Sequence, residues 1–260
     1  VTKYLQTITD ISLGDAPTSV PEAKTVYYIA CSVAVCAEIQ VGVEAAAEAL
    51  GWTFKSTSHQ DTPETVAAAF DAAIAAKPDV VMSSGNPREW FADQLTTLQS
   101  MNIPLISWSL PEGYEPGDGI AANILSADDY YFYGMLMADY SVANSPNKNI
   151  RFVGLPVFPV LSLVQQGFND EIAAICPDCK VETQEIAISD IGVNLPGQIV
   201  SALQADPSLD FIAYAFGGMM YGVPDALDAA GLTDQAKAVS QAGGPMNFDF
   251  IKSGRHQLGE

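Results

Sequence analysis

The sequence predicts an α/β protein of two Rossmann-like lobes, each a parallel sheet flanked by helices and joined to the other by a hinge. Three observations carry that expectation. Short apolar strands alternate with helical patterns along the chain. The strands are uninterrupted apolar runs, as sheets covered on both faces require. The layout of the first half also recurs in the second: TPETVAAAFDAAIAAKPDVVMSSG and LPGQIVSALQADPSLDFIAYAFGG each read as a proline-opened helix, a turn, a strand and a small-residue loop.

Residues 1–24 are mixed and proline-containing and read as an irregular leader. TVYYIA, at 25–30, is β-branched and aromatic, a buried strand. Cys36, Ile39, Val43, Ala46 and Leu50 then recur at helical spacing until Gly51 stops the helix, and 52–56 read as the second strand. Thr62 is an N-cap with Pro63 at the first helical position, ahead of Val66, Phe70 and Ile74. KPDVVMSSG supplies a turn, a strand and a loop. Asn86 and Pro87 are expected to open a helix carrying Phe91, Leu95 and Leu98, whose first N–H groups would face a ligand. IPLISWS follows as a strand. NIRFVGLPV begins the second half, with Leu161, Val164, Phe168, Ile172 and Ile175 on one helical face. The lobes are placed at 1–123 and 124–260, connected near 120–129.

The chain has 260 residues with 48% hydrophobic content, enough for a sizeable core. No apolar run approaches the roughly 18 residues that cross a bilayer, so a soluble protein is expected. Thirty-one acidic against 11 basic residues give a net charge of -20. Such a surface repels phosphate backbones and anionic membranes, which excludes nucleic acid as a partner. Cys31 with Cys36, and Cys176 with Cys179, form two close pairs that suit local disulfides in an oxidising compartment. A zinc site would need the two loops to meet, and His59 and His256 lack ligand spacing. A redox Cys-x-x-Cys at 176–179 would sit at a helix end, where the thiol pKa is not lowered. No metal or cofactor is expected. No signal-like segment precedes the first strand, so an export signal would lie outside this sequence.

Phosphate loops, nucleophile elbows and metalloprotease helices are missing from the sequence. The histidines read as distant from the strand ends, and Glu89, Glu112 and Asp128 offer only chance proximity among many acids. Binding without chemistry is therefore expected. Ligands of open parallel sheets sit beyond the strand carboxyl ends. That rule selects 31–36, 83–90 and 107–111 in the first lobe, and 155–161, 216–221 and 242–246 in the second. These segments carry Trp90, Trp108, Phe158, Phe216, Met219, Met220 and Tyr221 among Ser, Asn and Gln. Flat apolar faces with a few polar groups suit a neutral solute such as a sugar.

VGVEAAAEALGWTF, KPDVVMSSGNPREWFADQLTTLQSMNIPLIS, the pair Gly167 and Phe168, and GVPDALDAAGL resemble the type I periplasmic binding proteins, in their ribose and related sugar-binding branch. The resemblance implies lobes that close on a solute in a cleft. It further implies an extracytoplasmic solute-binding protein, periplasmic or a cell-surface lipoprotein, that acts as a monomer and delivers a sugar or polyol to an ABC permease. A sensor presenting solute to a receptor, or a less polar ligand such as a nucleoside or aromatic, stands as the alternative. Repressors of the lac type share the fold and stand as a further alternative, but they carry a basic N-terminal DNA-binding segment, whereas residues 1–24 have only Lys3 and Lys24 as cations.

By the same resemblance, Glu89 falls where the branch has a sugar-bonding Asp. With Asn86 it would bond hydroxyls, while Trp90 and Trp108 stack on the solute. Ser32, Val35, Asn123 and Asp128 complete the near side, and Phe158, Gln165, Phe216 and Gly217 cover the solute from the second lobe. Val164 stands for a family Arg, and Phe216 with Gly217 for an Asn-Asp pair. Those losses remove charge-assisted bonds of about 1.5–3 kcal/mol each. The second lobe is expected to end near a third hinge crossing.

Overall fold

The computed structural model describes Ser19 and residues 22–115 and 117–260, so most of the expected leader lies outside the described residues. Contacts divide the chain into two units, one ending at Leu125 and the other beginning at Ser126.

The first unit runs β1 (Thr25–Ala30), α1 (Ala34–Ala49), β2 (Thr53–Ser58), α2 (Pro63–Ala76), β3 (Val80–Ser84), α3 (Ala92–Ser100), β4 (Leu105–Trp108) and β5 (Ile120–Asn123). Its sheet has the order β2-β1-β3-β4-β5, with every pairing parallel. The second unit runs α4 (Ala127–Asn144), β6 (Asn149–Gly154), α5 (Pro159–Ile175), β7 (Lys180–Glu185), α6 (Leu195–Ala205), β8 (Phe211–Tyr214), α7 (Val223–Ala230), β9 (Lys237–Val239), α8 (Pro245–Ser253) and β10 (Gln257–Gly259). Its sheet, β7-β6-β8-β9-β10, is again parallel throughout. The same strand order therefore occurs twice, and the predicted α/β class with two parallel sheets holds.

The residues of β1 explain why its sheet is buried. Tyr27 and Ile29 pack with Val66, Phe70, Val81 and Leu105 in one cluster, while Tyr28 and Ala30 pack with Cys36 in another. Successive side chains of a strand point to opposite faces, so both faces are covered and no polar alternation is needed. The outer strands β2 (TFKSTS) and β7 (KVETQE) instead expose most of their polar residues, which blunts a sheet edge against further pairing.

Helix starts follow local chemistry. The Thr62 side chain accepts the Thr65 N–H at 3.3 Å, capping α2. Pro63, Pro159, Pro196, Pro224 and Pro245 each stand in the first or second position of a helix, where a missing N–H costs nothing. Two expectations need correction. Asn86 and Pro87 do not open a helix: Arg88–Trp90 make a single 3-10 turn, and α3 begins at Ala92. Pro87 at ψ 133° and Phe91 at φ -141° leave the helical course, and the Arg88 side chain between them pairs with Asp118 at 2.7 Å and donates to the Gly113 carbonyl. Ile175, expected on a buried face, is 43% exposed at the last turn of α5.

The second unit contains a close helix crossing. A β-carbon on Gly134 of α4 would stand 2.0 Å from the Val164 carbonyl oxygen, and one on Gly167 of α5 would stand 2.0 Å from that of Tyr131. Glycine at both positions lets the two backbones touch. Phe168 then reaches Phe152 of β6, with ring centroids 5.0 Å apart. Further along the sheet, buried His256 receives the Tyr214 hydroxyl at Nε2 (3.1 Å) and donates from Nδ1 to the Ala236 carbonyl (2.9 Å). Burial pushes its pKa down to about 4, so it is a neutral structural imidazole.

Cys31–Cys36 and Cys176–Cys179 are disulfide-bonded, with Cα separations of 5.5 and 5.3 Å. Among the described residues no cluster of His, Cys, Asp or Glu could hold a metal ion, and no helix is long and apolar enough to cross a membrane.

Candidate functional site

In each unit the parallel strands aim their carboxyl ends the same way, and the chain leaves neighbouring central strands in opposite directions. That reversal falls between β1 and β3 in the first unit and between β6 and β8 in the second. In open parallel sheets, ligands sit outside the strand carboxyl ends at such a reversal.

On the first unit, β1 runs straight into the ring closed by Cys31–Cys36, which contains Ser32 and Val35. Cys36 is fully buried, Val35 is half-buried and Ser32 is exposed. Ser32 is tied across the edge to Asp61: its backbone N–H donates to Oδ2 at 3.1 Å, and its hydroxyl donates to the same oxygen. Asp61 is buried and sits in the left-handed region at φ 55°. Burial would raise its pKa, but hydrogen bonds from His59 and Ser32 outweigh that and hold the carboxyl below its ordinary value. His59 directly follows β2, with Nδ1 3.1 Å from the Asp61 amide nitrogen and 3.3 Å from Oδ1. Its Nε2 lies 3.3 Å from Asn86 Nδ2 and 3.5 Å from Ser84 Oγ, and Asn86 also donates to the Ser84 carbonyl at 3.1 Å. One network thus joins the ends of β2, β1 and β3.

The other expected residues of this unit divide. Glu89 is exposed and Trp90 half-buried on the 3-10 turn that Arg88 anchors. Trp90 packs against the Phe70–Leu110 cluster, whereas Trp108 packs against Tyr28, Cys36 and the disulfide on the opposite face of β1. The two indoles therefore join different clusters. The Tyr28 hydroxyl donates to the Cys36 carbonyl at 3.1 Å, and burial pushes its pKa up to about 12. The Trp108 Nε1–H is buried without a well-formed hydrogen bond. Asn123 works as a brace, accepting from the Leu110 N–H at 3.3 Å and donating to the Leu125 carbonyl at 2.7 Å.

On the second unit, Asp128 is exposed in the first turn of α4, beside the capping pair Ser126 and Asp129. Phe158 is half-buried at the N-cap of α5. Gln165 lies over the end of β6, its Oε1 2.8 Å from where a Gly154 β-carbon would stand. Phe216 is only 8% exposed, and Met219 and Met220 are fully buried, so these three pack as core, while Tyr221 is 63% exposed. Gly217 is pinned: its N–H donates to the Gln241 carbonyl at 2.8 Å and its carbonyl accepts from Asn247 at 3.1 Å. Val164 is buried in the α4–α5 seam.

Sequence reasoning missed His59, Asp61, Gln241 and Asn247. His59 was read as remote from the strand ends, yet it is the first residue after β2. The carboxyl-end rule, extended to that strand, points to it.

Residues 31–257 match the family model described as periplasmic binding protein domain. No curated protein sequence matches the chain at a significant level. Among solved structures, a periplasmic solute-binding protein of an ABC transporter from Actinobacillus succinogenes with bound D-allose is 19% identical. It has a TM-score of 0.76, over 89% of this chain and 82% of the other. A solute-binding protein from Agrobacterium vitis bound with α-D-tagatopyranose is 22% identical, with a TM-score of 0.72 over 89% and 80% of the two chains. A putative LacI transcriptional regulator from Bacteroides fragilis is 14% identical, with a TM-score of 0.76 over 90% and 82%. At these identities the likeness establishes the fold that all four share.

Proposed function

The chain belongs to the periplasmic binding protein domain family, and from that premise we propose that it is the extracytoplasmic solute-binding component of an ABC uptake system for a small neutral, carbohydrate-like molecule. The solute is captured at the carboxyl edges of the parallel sheets and handed, chemically unchanged, to a membrane permease. The observation that carries this reading is the makeup of the first edge. Partly buried Trp90 and Trp108 flank strand ends where Ser32, Asn86 and Glu89 supply polar groups. Sugar rings present C–H faces to aromatics and hydroxyls to such groups. The sugars held by the Actinobacillus and Agrobacterium proteins favour the same ligand class. Two disulfides suit an oxidising compartment.

Within this reading, Glu89 of the first unit accepts from solute hydroxyls. Phe216 acts through packing. A thermal-shift screen tests the assignment with D-allose, D-tagatose, pentoses and polyols on one side, and purine nucleosides and aromatic acids on the other. A carbohydrate at a hundred times its dissociation constant adds about 2.7 kcal/mol of stability. Stabilisation by nucleosides or aromatic acids alone would refute the carbohydrate ligand.

A further inference from the structure

We propose that Asp61 is a positioning residue that fixes the polarity of Ser32: by taking the Ser32 hydroxyl hydrogen, it turns the Ser32 oxygen into an acceptor that selects solute groups able to donate. The inference rests on the carbohydrate-binding reading and sharpens it.

A serine hydroxyl has one hydrogen and two lone pairs, and its rotor ordinarily turns to suit whatever it meets. Here both hydrogens that Ser32 can offer, on backbone nitrogen and on Oγ, go to Oδ2 of Asp61. An ionised carboxylate only accepts, so the direction of that bond cannot reverse. The carboxylate stays ionised although it is almost closed to water, because the two Ser32 donors on Oδ2 and the His59 ring beside Oδ1 outweigh the cost of burial. Its side chain is 2% exposed, and the fully buried ring of His59 lies 3.3 Å from Oδ1. The ring is itself fixed against Asn86 and Ser84, and the His59 backbone N–H donates to the Ala30 carbonyl at 3.1 Å. Ser32 cannot swing away, because it lies inside the ring closed by Cys31–Cys36. Its exposed oxygen therefore presents lone pairs to solvent. A sugar hydroxyl satisfies them by donating, whereas a carbonyl, ether or fluorine leaves them facing another acceptor.

The experiment uses the full chain with D-allose and D-tagatose as probes, followed by derivatives of the tighter binder in which each hydroxyl in turn is replaced by fluorine. Wild-type protein should discriminate against one such derivative by about tenfold, the worth of one hydrogen bond. Asp61→Asn can donate to Ser32 and so free the hydroxyl to reverse. It should reduce that discrimination to about threefold or less, while Ser32→Ala removes it and Asp61→Asn adds nothing further in the Ser32→Ala background. A structural role alone would weaken every derivative equally and leave the ratio intact, and that result overturns the proposal, as does an equal effect of Asp61→Asn with and without Ser32. Should Asp61→Asn fold poorly, Ser32→Ala still decides, because unchanged discrimination in that variant contradicts the proposal. If neither probe nor any other sugar binds wild-type protein at millimolar concentration, the carbohydrate reading falls and this inference with it.

Discussion

Gly134→Ala should destabilise the second unit by about 2 kcal/mol or more in chemical denaturation. An alanine β-carbon would stand 2.0 Å from the Val164 carbonyl oxygen and 2.7 Å from the Phe168 nitrogen, so α4 and α5 must separate. Overpacking of this kind costs typically about 1–3 kcal/mol and more when backbone is the obstacle, against about 1 kcal/mol gained in helix propensity. Gly197 in α6 provides the contrast, because nothing lies within 4 Å of its β-carbon position. Gly197→Ala gains only propensity and should stabilise by about 0.5–1 kcal/mol. Equal and small effects at both positions would show that the helix crossing tolerates the methyl group.

Gly85→Ala should weaken solute binding by more than about tenfold. Its β-carbon would stand 1.5 Å from the Ser109 carbonyl oxygen, and Ser109 is already held at φ 65°. The ends of β3 and β4 must part, which displaces Asn86 on one side and Trp108 on the other. A positional error of about 1 Å at such groups forfeits their hydrogen bonds and ring contacts. Calorimetric titration with the best-binding sugar measures the loss. A variant that binds like the wild type would separate these two strand ends from the site.

The fold was legible because its rules are local. TVYYIA announced a buried strand, Thr62-Pro63 a helix start and Gly51 a helix stop, and all three stand where expected. Two copies of one pattern implied two sheets of like topology. Helix propensity alone misplaced the segment after β3. The backbone leaves the helical course at Pro87 and Phe91, and Arg88 between them pairs with Asp118, thirty residues away, a contact that no neighbouring residue signals.

The site was legible by segment and less so by side chain. Strand-end loops follow from topology, but which face an aromatic takes depends on packing. Phe216 turned inward, and Trp90 and Trp108 joined opposite clusters. The Ser32–Asp61–His59 network escaped notice because its members come from loops about thirty residues apart, and only the β2-β1-β3 order brings them together.

Hydrogen exchange with and without a saturating sugar tests most directly whether solute is captured at the strand carboxyl ends. Slowed exchange should concentrate at 31–36, 59–61, 84–90 and 107–111 in the first unit and at 155–161 and 216–221 in the second, with the amino ends of the strands unchanged. Protection spread evenly over both units, or centred on the opposite ends of the sheets, would contradict the account.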